Sequence, residues 1–182
     1  LIFQNEMDEK ILTRYVKYQN KSYLIRGSGV QLSNFSLKNI HEQNLDEIKI
    51  IMCCRLLKDK GINEYLELAK SFKDEKYKFF LAGSIDLGNP ASYSNDEIIF
   101  LTKESNIEYL GWIDSGNELK NYDISICMSY HEGLPRIVLE SLYIGLYTIS
   151  NSLYGLQPIF DKNDNLKLIV CLLYTSPSPR DA

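Results

Sequence analysis

Two clusters of polar residues in this chain are spaced for chemistry on an elongated, anionic ligand. The first runs from Arg55 through Lys58 and Lys60 to Gly61, directly after the apolar run Ile48 to Cys54. An arginine supplies a planar fork of donors and a lysine a mobile point charge, a complementary pair for gripping a diphosphate. Taken alone, Arg55, Lys58 and Lys60 read equally well as a solvated turn. The second cluster runs from Ser129 through Tyr130, His131, Glu132, Gly133, Leu134, Pro135 and Arg136 to Glu140. Proline suits the first turn of a helix, so a helix is expected to begin near Pro135. The amides of Gly133, Leu134 and Arg136 would then point outward, where the positive end of the helix dipole favours a phosphate.

Glu132 stands just before that helix and Glu140 between one and two turns into it, far enough apart to touch different parts of one ligand. Two acids beside an anion repel it unless they accept hydrogen bonds from sugar hydroxyls while the amides, Arg55 and Lys60 take the phosphates. The competing reading makes Glu132 a capping acid and Glu140 a solvated helix residue. The short Gly-Leu-Pro insert favours the first reading. His131 reads as a pocket wall or as a general acid or base. His41 lies in a polar stretch with no visible partner.

The elements that must hold these residues alternate from residue 48 onward. Strands are expected at Ile48 to Cys54, Tyr77 to Ala82, Ile107 to Trp112, Asp123 to Ser129 and Leu146 to Ser150. Helices are expected at Gly61 to Phe72, with Ile62, Tyr65, Leu66, Leu68 and Ala69 inward, at Asn95 to Glu104, Gly116 to Asn121 and Pro135 to Ile144. Strands apolar on both faces, alternating with amphipathic helices, predict an α/β fold: a Rossmann-like, doubly wound parallel sheet with helices on both faces. Ligands of such sheets bind beyond the carboxyl ends of the strands, where both polar clusters fall.

The chain has 182 residues, 45% hydrophobic and 24% charged, enough for one domain with a real core and some extra. Its net charge of -4 argues against a nucleic-acid partner, which selects for a basic surface. Cys53, Cys54, Cys127 and Cys171 form no CxxC pair and no metal-ligand spacing with either histidine, so no metal is expected. No apolar run approaches the ~20 residues that span a bilayer. The expected setting is the reduced cytoplasm, with work at the inner face of the membrane left open. The chain opens inside an apolar run at Leu1, which reads as a fragment, and residues 171–182, with their Ser-Pro-Ser-Pro stretch, read as a non-native tail.

The stretch Glu132 to Glu140 resembles the paired-glutamate signature of retaining glycosyltransferases of family 4, which have the GT-B fold. Further matches lie in order: the Arg55 to Gly61 turn, Leu81 to Asp86 with Asn89 and Pro90, Ile107 to Trp112, and Gly145. Phe3 to Asn5 and Ile25 to Val30 resemble the last strand of an acceptor domain and the start of the donor domain. The Gly83 to Pro90 segment is similar to bacterial members that extend lipid-linked surface polysaccharides. Two departures are Tyr147, where the family often has proline, and a glycine loop reduced to Gly155.

The resemblance implies that residues 1–45 end an N-terminal acceptor domain and linker, and that residues 46–170 form the nucleotide-sugar-binding domain. It implies that Arg55 and Lys60 bind the donor diphosphate, Glu140 the ribose, and the backbone of Gly133 and Leu134, before Pro135, the phosphate or sugar. Main chain at Trp112 and Ile113 would lie near the base, and Glu132 beside the transferred sugar as the catalytic group. The implied partners are a nucleotide-sugar donor, a glycan or lipid-linked glycan acceptor and the missing N-terminal domain; no cofactor is implied, and the sugar would be transferred with retention. Such a chain would be inactive alone. The alternatives are an epimerase or phosphorylase of the same fold, or a non-catalytic nucleotide-binding or receiver module. A receiver would need acids where Cys53, Cys54 and Arg55 stand.

Overall fold

The computed structural model describes residues 1–16, 21–27, 29–31, 33, 35–38, 46–151, 153–160 and 166–168. His41, Cys171 and the tail expected from residue 171 lie outside these residues. Alternation along one run explains the centre of the molecule. Ile50 and Met52 point to one face of a sheet and Ile51 to the other, and all three are buried. A strand apolar on both faces is stable only between two layers of helices.

In chain order the elements are β1 (Ile2–Phe3), α1 (Glu6–Tyr15), β2 (Tyr23–Leu24), β3 (Ile48–Cys53), α2 (Ile62–Ser71), β4 (Tyr77–Ala82) and α3 (Asn95–Glu104). They continue with β5 (Ile107–Gly111), α4 (Ser115–Glu118), β6 (Ile124–Cys127), α5 (Arg136–Ile144), β7 (Tyr147–Ser150), α6 (Gln157–Phe160) and β8 (Leu166–Leu168). β1 and β2 form a small parallel pair, while β3 to β8 form one six-stranded sheet in the order β5-β4-β3-β6-β7-β8. Every neighbouring pair in it is parallel.

One face of β3 packs with Ile62, Tyr65, Leu66 and Ala69 of α2 and Ile98 of α3; Leu68, expected inward, is only partly buried against this cluster. The other face packs with Leu119, just after α4, and Ile144 of α5. The α/β architecture expected from the sequence is therefore the observed one. Helix ends are closed by their sequences: Ser94 and Glu97 form a reciprocal capping box on α3, and Gly145 ends α5 in the left-handed conformation.

Tyr65 is fully buried, and its hydroxyl sits 3.0 Å from the carbonyl of Ile50 and 2.9 Å from that of Phe80. It anchors α2 to two strands at once. Tyr65→Phe is expected to lower stability by about 1–2 kcal/mol, because the deleted donor leaves buried carbonyl lone pairs unmet. Chemical denaturation should show the lower midpoint at an unchanged slope.

Several details differ from the sequence reading, among them the following. Helix α1 was not expected: its residues are strongly charged and none is buried, so no deep apolar stripe marks it. Strand β8 was not expected either, being only three residues with a lysine at its centre. Strand β5 stops at Gly111, whose φ of +70° turns the chain, so Trp112 lies beyond it and is 74% exposed. Pro135 is the N-cap of α5 and not a residue of its first turn; its ψ of 119° is still extended.

The stretch before β3 is tied down on the α4–α5 side. The Lys38 ammonium pairs with Asp123 at 2.5 Å, and the Phe35 ring meets Tyr143 edge-on at 6.2 Å.

Candidate active site at the reversal of strand order

From β3 the chain steps outward to β4 and β5, then returns to the other side of β3 for β6, β7 and β8. The strand order therefore reverses between β3 and β6. Helices on either side of such a point lie on opposite faces of the sheet, so a crevice opens beyond the carboxyl ends of the two strands. A cleft of about 180 Å³ lies there, lined among others by Arg55, Lys60, Ser129, Glu132, Pro135 and Arg136. Residues 55 and 60 thus share one cavity with residues 132 and 135, which the sequence separates by more than a whole strand-helix-strand unit.

Lys60 is carried by a short 3-10 turn, Lys58–Lys60, and directed by the glycine that follows. Gly61 has φ +76° and caps α2, and a Cβ on it would run into the backbone of Met128, just past the end of β6. Lys60, next to this close approach, is 8% exposed. Its Nζ lies 2.7 Å from Oε1 of Glu132. Arg55 is more open, with its Nη1 3.1 Å from Oδ2 of Asp86. Asn89 donates to the same Asp86 oxygen at 3.3 Å and fixes that carboxylate. Arg136 Nη2 lies 3.2 Å from Oε1 of Glu140, one turn along α5. Each of the three cations on the cleft wall therefore faces a carboxylate.

The strand ends form the floor. Cys53, Cys54 and Cys127 all line the cleft. Burial pushes the Cys53 thiol up to about 12, with Glu140 and then Glu118 adding to the effect. Burial also raises the Cys54 and Cys127 thiols. At neutral pH the floor is uncharged, so it adds no repulsion against an anion.

Of the residues singled out from sequence, Arg55, Lys60, Glu132 and Pro135 line the cleft. Glu140 is buried and reaches the site through Arg136, which removes the reading of it as a solvated helix residue. Glu132 does not cap α5: the N-cap has no side-chain hydrogen bond, and its carboxylate goes to Lys60. Gly133 and Leu134 do not form the cleft wall but are packed from outside. A Cβ on Gly133 would come within 3.0 Å of Gln4, one on Gly27 within 2.5 Å of Leu134, and one on Gly155 within 2.6 Å of the Gly133 carbonyl carbon. Trp112 and Ile113 lie past the end of β5, two strands from β3, and are not part of the cleft lining. His131 turns outward to Asp8 of α1, Nε2 to Oδ1 3.1 Å.

Sequence reasoning gave no role to the Arg136 side chain, to Asp86 or to the three thiols. The i,i+4 spacing of Arg136 and Glu140 carried a signal for that pair; Asp86 and Cys127 carried none, because only the strand order brings them to the site.

The family described as glycosyl transferases group 1 matches residues 33–171, a span that takes in both polar clusters and all six strands of the main sheet. The chain belongs to the group 1 glycosyl transferases. Among curated relatives it is 33% identical over 155 residues to the N,N'-diacetylbacillosaminyl-diphospho-undecaprenol alpha-1,3-N-acetylgalactosaminyltransferase of Campylobacter jejuni. That alignment takes in 79% of this chain and 40% of the relative, so this group 1 chain spans well under half the length of the relative it matches. Among solved structures, a sucrose-phosphate synthase from Thermosynechococcus elongatus superposes with a TM-score of 0.75 at 19% identity, covering 92% of this chain and 44% of the other. The pneumococcal O-GlcNAc transferase GtfA, solved with UDP and GlcNAc, superposes with a TM-score of 0.63 at 19% identity, covering 86% of this chain and 31% of GtfA. These likenesses establish the fold as one found within GT-B glycosyltransferases. Among the described residues of this group 1 member, no helix is long and apolar enough to cross a membrane, and no three His, Cys, Asp or Glu side chains are grouped to hold a metal ion.

Proposed function

We propose that this chain is the donor-binding half of a retaining, family 4 glycosyltransferase that moves a sugar from a nucleoside-diphosphate sugar to an acceptor hydroxyl. In this reading the acceptor is a bacterial surface glycan or its lipid-linked precursor, met at the cytoplasmic face of the membrane. The observation that carries the proposal is the convergence of Arg55, Lys60 and the start of α5 on one cleft, with Glu132 alongside. Two comparisons support it: the Campylobacter relative is named for transfer to a diphospho-undecaprenol acceptor, and GtfA was solved with UDP and GlcNAc.

Departure of a nucleoside diphosphate places growing negative charge on the β-phosphate. Lys60, Arg55 and the amino end of α5 would offset that charge from fixed positions in a partly dry cleft, without the need for a metal. Glu132 would lie next to the sugar, placing it and balancing positive charge that develops at its reacting carbon. Glu140 would accept from the ribose, and the turn at Trp112 and Ile113 would approach the base. Residues 1–45 would close the acceptor domain and lead into residues 46–170, so the activity belongs to the longer protein and not to this chain alone.

The direct test is calorimetric titration of the chain with UDP, GDP, ADP and their sugars; binding of none of them removes the proposal. For the chemistry, Glu132→Gln in the full-length enzyme is expected to cut turnover by roughly 100-fold or more, the range for losing one fixed charge contact in a transition state. Affinity for the donor sugar should change far less. Equal losses in both would make Glu132 a binding group only.

A further inference from the structure

We infer that Glu132 is a built-in counter-ion that competes with the donor diphosphate for Lys60, so that the cleft favours the intact nucleotide sugar over the spent nucleotide. This rests on the proposed donor site. The starting point is the pairing of the charges along the cleft wall. The Lys60 and Glu132 side chains are 10% and 25% exposed and 2.7 Å apart, the most enclosed of the three pairs at the site when both partners are counted. Arg55 with Asp86 and Arg136 with Glu140 complete a set of three cations matched by three carboxylates. The side chains of the rim therefore present no unpaired cation to an incoming anion, which leaves the amino end of α5 as the one uncompensated positive pole there.

A diphosphate entering this cleft must take Lys60 from Glu132, because an ammonium already held at 2.7 Å in a shielded place offers the phosphate little net attraction. The exchange leaves Glu132 as a half-buried carboxylate without its cation, close to the phosphate oxygens. That state is costly unless something donates to the carboxylate. A sugar hydroxyl on the same ligand does so; a bare nucleoside diphosphate or inorganic pyrophosphate has no such group at that end. The intact donor therefore satisfies both partners of the broken pair, whereas the product satisfies only Lys60. Once the sugar has left, Glu132 returns to Lys60 and weakens the hold on the diphosphate. No bond other than hydrogen bonds and ion pairs is made or broken in this exchange.

The proposal predicts an outcome opposite in sign to that of an ordinary contact residue. In the full-length enzyme, Glu132→Gln should bind UDP and inorganic pyrophosphate about fivefold more tightly than the wild type, the scale of one modest ion pair removed from competition. The affinity for UDP-sugar should stay equal or fall, so the preference for the intact donor disappears. Adding Lys60→Ala to Glu132→Gln should erase the gain. Asp86→Asn, at the more exposed Arg55 pair, should show the same tightening of pyrophosphate on a smaller scale. Weaker or unchanged pyrophosphate binding in folded Glu132→Gln overturns the exchange while leaving the donor site intact. A wild type that binds neither UDP-sugar, UDP nor pyrophosphate overturns the exchange and the donor site together.

Discussion

If the cleft holds a nucleoside diphosphate as proposed, Lys60→Ala is expected to remove most of the affinity for it, a loss of about 2–3 kcal/mol or roughly 30- to 150-fold in Kd. Two effects add. The phosphate loses its most enclosed cation, and Glu132, 2.7 Å from the missing ammonium, becomes an unopposed carboxylate at the place where the phosphate must sit. Arg55→Ala should cost less, because the Arg55 side chain is 63% exposed and solvent screens its charge. Calorimetry with nucleoside diphosphate measures both. Unchanged affinity in Lys60→Ala would take Lys60 out of the site, and a larger loss for Arg55→Ala would reverse the ranking that burial implies.

Gly61→Ala is expected to lower folding stability by about 3 kcal/mol or more, the range for a backbone position that no side chain fits. Its φ of +76° alone costs any other residue about 1 kcal/mol. The larger part comes from space: a Cβ there would stand 2.7 Å from the Met128 Cβ and closer still to the Met128 carbonyl oxygen. Either α2 or the end of β6 must move, and Lys60 moves with it, so donor affinity should fall together with stability. Gly88→Ala is the matched control, since its φ is +92° but nothing lies within 4 Å of the added carbon. Denaturant titration of the two variants separates backbone strain from the clash. Equal losses would mean that the approach of Gly61 to Met128 is not a constraint.

Much of the architecture could be read from the chain because it rests on local patterns. The apolar runs at 48–53, 77–82 and 147–150 are strands for the same reason that they are legible: each is buried on one or both faces between helices. The start of α5 was legible from Gly133, Leu134 and Pro135, although the turn holds Pro135 one position earlier than a first-turn proline. What could not be read was pairing over distance. Lys60 and Glu132 lie 72 positions apart, and only the order β3-β6 makes them neighbours. The sequence suggested one cationic and one acidic cluster acting on different parts of a ligand; the fold interlocks them, so that each cation of the cleft wall is answered by an acid. The packing role of Gly133 was equally hidden, since the residues that crowd it come from positions 4 and 155.

That crowding has a mechanical consequence. Gly133 is wedged between Gln4 and Gly155, with a hydrogen atom on each glycine where any other residue would carry carbon. The segment bearing Glu132 is thus seated directly on the opening residues of the chain, and a side chain at position 133 or 155 would have to pry the two apart.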